Sequence, residues 1–264
     1  MADLMELSAD FELDRYNSLF SVEDANAAVR NDNAIAHFLA DAAELFVRNG
    51  VQSSFGVALL HRHHTLRDGE HMVQYAQTFG DEPALVTRPV VAKPDRESAV
   101  PWVWTLQDGQ LHPMEFTTDP LARSLFTKGR QLPEAFVADF AELIDRSPVG
   151  HLLGLAIVER DFFNSATEDC APIEYTFTEG RSNVIFIRKR SSFKAQSIET
   201  TWVFEGQVDP VLGCISKTEC ASSCKVYCAT WCFENGGRHS EVQHQSAHTP
   251  HHTPRPEHNW DGGP

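Results

Sequence analysis

The sequence has no long apolar run. Its longest stretches, Phe55 to Leu60 and Leu152 to Val158, fall far short of the ~20 residues that cross a bilayer as a helix, so no membrane span is expected. The opening, Met1-Ala2-Asp3-Leu4-Met5-Glu6, lacks the basic stretch and apolar centre of a secretory signal. A cytoplasmic location, where thiols stay reduced, is the expectation. Positive charge is scarce too: 22 Lys and Arg stand against 37 Asp and Glu, a net charge of −15. A field of that sign repels phosphate backbones and anionic lipid, which argues against nucleic acid and membrane surfaces as partners. There is no phosphate-cradling glycine loop, no nucleophile elbow and no His-Glu-x-x-His helix. The cysteines are not spread as a disulfide framework: Cys170 stands alone and five crowd between Cys214 and Cys232.

What the chain does contain is a match to itself. Offset by 98 residues, Phe38 to Arg62 lies over Phe136 to Arg160 with 11 identities in 25 positions and no gap. Chance at average composition gives roughly one or two. Trp102-Val103-Trp104 similarly resembles Trp202-Val203-Phe204. The spacing predicts an α+β protein of two tandem repeats of about 100 residues. Each is a helix followed by mostly antiparallel strands, and the pair is expected to sit about a pseudo-twofold axis.

The expected organisation is an acidic segment over residues 1–32, repeat one over 33–116, a linker over 117–131 and repeat two over 132–213. A Cys-rich helix and a disordered His- and Pro-rich tail complete the chain over 214–264. In repeat one, Asn33 can cap a helix running to Arg48, ended by Gly50. In repeat two, Pro133 suits a first helical turn and Pro148 ends the helix. Phe55 to Leu60 and Leu153 to Val158 read as strands buried on both faces, with Gly56 and Ala58 forming a small side that admits a helix. Gln107-Asp108-Gly109 reads as a hairpin turn. A short helix capped by Ser21 is expected near the start.

Two clusters can carry chemistry. In His61-Arg62-His63-His64, a strand puts His61 and His63 on one face at a spacing suited to one shared metal, and His112 is a candidate third nitrogen. Arg62 is a candidate anchor for an anionic ligand. The matching positions in repeat two are the carboxylates Glu159, Asp161 and Asp209. The same pattern also suits a solvated sheet margin, where polar residues of any kind collect. The second cluster is Cys220, Cys224, Cys228 and Cys232, one stripe if helical, able to chelate a metal or simply to line a buried face. Six histidines from His239 to His258 can bind transition metals weakly on composition alone.

The string Phe55-Gly56-Val57-Ala58-Leu59-Leu60-His61-Arg62-His63, followed by Gly69-Glu70, resembles a pattern in uncharacterised proteins of filamentous fungi. It covers about a tenth of the chain, and the resemblance implies an accessory role in fungal metabolism without a mechanism. The expected function is binding of a small molecule or of a transition metal (Zn, Cu or Fe). In that reading His61 and His63 are ligands or acid–base groups of an enzyme. The alternative is a non-enzymatic interaction protein whose Cys- and His-rich end handles metal or docks a partner.

Overall fold

The computed structural model describes residues 2–3, 10–30, 34–91, 98–127, 131–158, 170–189, 198–205, 217–219 and 227–228. The fold is α+β, with a mixed, mostly antiparallel sheet. Helices α1 (Leu13–Asn17) and α2 (Val22–Val29) open it. Ser21 caps α2, its Oγ accepting from the Asp24 amide at 3.1 Å. The long helices are α3 (Ala34–Arg48) and α5 (Glu134–Arg146). Between them α4 (Pro120–Thr127) occupies what the sequence suggested was a plain linker. Asp119 makes that helix possible: its Oδ1 accepts from the amides of Leu121 and Ala122, at 2.9 and 3.1 Å.

Strands β1 (Ala2–Asp3) and β7 (Gln131–Leu132) form a small separate pair. The main sheet uses β2 (Phe55–Leu59), β3 (Glu70–Phe79), β4 (Glu82–Val91), β5 (Val100–Gln107) and β6 (Gln110–Thr117). It adds β8 (Leu153–Ile157), β9 (Cys170–Phe177), β10 (Ser182–Lys189) and β11 (Thr201–Glu205). Two short strands, β12 (Lys217–Glu219) and β13 (Tyr227–Cys228), lie at its ends. The order is β12-β11-β2-β8-β5-β6-β3-β4-β10-β9-β13. Asp108 and Gly109 at φ 51° and 72° make the expected hairpin turn between β5 and β6.

This sheet is strongly curled, and connectivity alone requires it. Eleven strands ~4.8 Å apart, laid flat, put the outer edges ~48 Å apart. The chain from Glu219 to Tyr227 spans at most ~29 Å. Curling brings Gln74 of β3, Trp102 of β5, Met114 of β6, Glu174 of β9, Ile185 of β10 and Thr201 of β11 around one interior cavity.

Contacts around β2 and β8 recur at a fixed separation. Val57 pairs with Leu155, 98 residues on, in the centre of the β2–β8 ladder. Val86 pairs with Val184 at the β4–β10 seam, again 98 apart. Arg48 bonds Asp139 at 3.1 Å, while Arg146 bonds Asp41 at 2.7 Å. Between α3 and α5, Phe46 packs edge-on to Phe136 and Phe140, with centroids 5.0 and 5.6 Å away. These phenylalanines and β2, β5, β8 and β11 belong to the largest core cluster.

Gly56 and Gly154 have a reason other than helix packing. A Cβ on Gly56 would lie 2.3 Å from the Trp202 carbonyl oxygen, and one on Gly154 2.2 Å from that of Trp104. Backbone of a neighbouring strand, not a helix, takes the space. Trp202 pairs with Val57 and Trp104 with Leu155. Trp104, and not Trp102, thus stands to Gly154 and Leu155 as Trp202 stands to Gly56 and Val57; with a period of two along a strand, sequence similarity alone could not separate the two tryptophans.

Candidate functional site

β2 ends at Leu59, and the chain that leaves it turns into the interior carrying His61 and His63. Two sets of bonds hold this segment. Beneath it, Asn17 accepts from the Leu66 amide at 2.8 Å and donates to the Leu66 carbonyl at 3.0 Å. The fully buried Tyr16 accepts, at its hydroxyl, from the His63 amide at 3.2 Å. Across from it, Arg181 reaches both oxygens of Glu70 at 2.7 Å and also the Thr65 carbonyl. That guanidinium holds the Glu70 carboxyl down at about 2.

The expected pairing of His61 with His63 is observed, with ring centroids 4.6 Å apart. The two partners that complete the cluster are carboxyl groups from distant strands. His63 Nε2 lies 3.1 Å from Glu115 Oε1, and His63 Nδ1 lies 3.4 Å from Glu174 Oε1. Burial works against charge on His63, but attraction from Glu174 and Glu115 and the bonds to both outweigh it, raising the imidazole well above its ordinary range. Burial also penalises the Glu174 anion, yet His63, His61 and a 2.7 Å bond from Asn183 Nδ2 bring its carboxyl below the usual value. His61 moves the other way: burial, then the nearby charge of His63, lower it. Its Nδ1–H donates to the Leu59 carbonyl at 2.8 Å, which leaves Nε2 as a lone-pair nitrogen. One atom each from His61, His63 and Glu174 all lie within 4.8 Å of one another, a set able to hold a metal ion.

Other candidates fall elsewhere. Arg62 occupies the opposite side of the strand extension from its two histidine neighbours, and its guanidinium donates to the Asn17 carbonyl. His112 projects to the outer partner Glu12, 3.3 Å away, and does not line the cavity. His64 is kept neutral at about 4 by burial and the charge of His63. Cys220, Cys224 and Cys232, the histidine-rich end and the carboxylates Glu159, Asp161 and Asp209 lie outside the described residues. Of the four cysteines expected on one helix only Cys228 lies among the described residues, and it stands in a strand, Tyr227–Cys228. Among the described residues no helix is long and apolar enough to cross a membrane.

No protein family, curated protein or solved structure matches this chain. Its chemistry has to be read from the site. Glu115 and Glu174 were missed in the sequence, although each is a lone acid in an apolar strand, between Met114 and Phe116 or between Ile173 and Tyr175. An ionisable group in that setting is buried at a cost unless it has a partner.

Proposed function

We propose that this chain is a mononuclear metalloprotein acting on a small molecule, with His61 Nε2, His63 Nδ1 and a Glu174 oxygen as ligands. One observation carries the reading: His61, His63 and Glu174 bring one possible ligand atom each within 4.8 Å of one another, and each of the three is also held by a group outside the trio. The Leu59 carbonyl fixes the His61 tautomer, Glu115 takes the far nitrogen of His63, and Asn183 orients Glu174. Outer-sphere bonds of this kind orient metal ligands and raise their basicity. Charge balance supports it as well. Two carboxylates around one imidazolium leave a net negative charge in an apolar interior, whereas a dication with two neutral imidazoles is balanced.

Two histidines and one carboxylate suit Zn or Fe(II) and leave coordination positions open to the cavity. When bound, such an ion supplies Lewis-acid or redox chemistry. The chain's own part is to hold the ligands, exclude water and keep Glu115 against His63. The fungal resemblance suggests metabolism as the setting.

The 98-residue recurrences further support two halves related by an approximate dyad through the β2–β8 and β4–β10 seams. In that arrangement the site is asymmetric: His61, His63 and Glu115 come from one half, Glu174 from the other.

Cobalt separates this centre from the cysteine-rich end. Metal-free full-length protein titrated with Co(II) is expected to show d–d absorption typical of nitrogen and oxygen ligands within the first equivalent, ahead of the weaker binding by the histidine-rich end. That first-equivalent signal disappears in His61→Ala/Glu174→Gln, and if it is unchanged there the reading fails. If the wild type shows only sulfur-to-cobalt charge transfer, the reading fails.

A further inference from the structure

The cavity between the curled strands is small, and that restricts what the open coordination positions can take. Its interior volume is about 40 Å³. One water occupies ~30 Å³ in the liquid, whereas a benzene-sized molecule fills an engineered cavity of ~150 Å³. His61, His63 and Glu174 all stand in the wall, so an ion held among them shares this space and tightens the limit. The rest of the wall is firmly placed. Trp102 of β5, Met114 of β6 and Ile185 of β10 are buried side chains of the sheet. Leu60 adds to them from the extension of β2, and Leu19 closes in from the turn between α1 and α2. Close-packed interiors resist expansion, and even one extra methylene is felt.

A ring or a branched chain is therefore too large, while a few atoms fit. We infer that the exogenous ligand of this centre has no more than about three heavy atoms, the size class of dioxygen, hydrogen peroxide and formate. This rests on the metal-centre reading given above and narrows its small molecule to that class. Size rather than charge sets the limit, because Glu115 and Glu174 stand beside His63 in the same wall.

The test keeps charge and donor atom fixed and varies only the body behind them. Full-length protein loaded with one equivalent of Co(II) is titrated at pH 7 with formate and with benzoate. Both are ionised carboxylates at that pH. Azide, a linear triatomic anion, is titrated alongside. Formate and azide should shift the first-equivalent d–d bands, and formate should bind at least about ten-fold tighter than benzoate, whose ring overpacks the wall. Leu19→Ala trims that wall at a residue on no ligand-bearing strand. In that variant, whose folding is checked by circular dichroism, the preference for formate over benzoate should fall at least about three-fold. If it does not fold, the wild-type ranking alone decides. A wild-type ratio below about ten overturns the inference, as does a preference unchanged in folded Leu19→Ala. Bands that none of the three ligands moves also overturn it. Absence of the first-equivalent signal is a different failure: it removes the metal centre and the size limit together. A normal signal with benzoate admitted keeps the centre and removes only the limit.

Discussion

Adding one methyl group at Gly154 should disrupt the centre of the sheet. In Gly154→Ala the new Cβ begins 2.2 Å from the Trp104 carbonyl oxygen and 2.7 Å from Leu60 Cδ2. Leucine can change rotamer, but the carbonyl is part of the β5–β8 ladder. Restoring even a 3.0 Å contact requires the two strands to part by roughly 0.8 Å. Ladder bonds near ~2.9 Å then stretch past hydrogen-bonding range. Losing one or two contributes ~1 kcal/mol each, and overpacking adds ~1–3 kcal/mol. The expected loss is about 3 kcal/mol, which for a domain of this size lowers Tm by about 6–12 °C. Gly56→Ala repeats the collision against Trp202 at 2.3 Å, so its cost should agree within about 1 kcal/mol. It should also weaken cobalt binding, because β2 runs directly into His61. Calorimetry of both full-length variants is the assay. A Tm change below about 2 °C in either, or a large effect in only one, would refute the reasoning.

Arg181→Ala should cost about 2 kcal/mol, the scale of charge-assisted bonds at a buried carboxylate, and loosen the histidine segment. Because Arg181 depresses Glu70 in the folded state to about 2, that contribution is complete above about pH 4.5 and is lost as pH falls toward 2. The gap between the urea midpoints of wild type and variant should therefore narrow as pH falls toward 2, down to the part that the Thr65 carbonyl bond supplies; a gap that does not narrow contradicts the assignment. Tyr16→Phe keeps the buried ring but leaves the His63 amide without its acceptor, and chemical denaturation should register ~1–2 kcal/mol. Arg48→Ala and Arg146→Ala remove exposed ion pairs only. Each should cost less than ~1 kcal/mol, shrinking further in 1 M salt.

The helices could be anticipated because their apolar stripes are local. Phe136, Phe140, Leu143 and Ile144 are all buried as their spacing implies. His61 and His63 were recognisable for the same reason, being two residues apart on one strand extension. Their acidic partners were not, since Glu115 and Glu174 reach them only through curling that no short window of sequence encodes. His112 failed as a ligand because its imidazole meets Glu12 and does not line the cavity that Glu115 lines. Asp119 could have revealed α4, because an acid directly before Pro120 is an N-terminal capping signal.

The sheet order also governs how this protein can be made. β2 is buried along its whole length between β8 and β11, yet the ribosome delivers β11 some 145 residues after it. At ordinary elongation rates of ~5–20 residues per second, Phe55 to Leu59 waits roughly 7–30 s for both neighbours. Throughout that interval the nascent chain displays a bare, β-prone segment to other chains, so its yield in the cell should track chaperone capacity as closely as final stability.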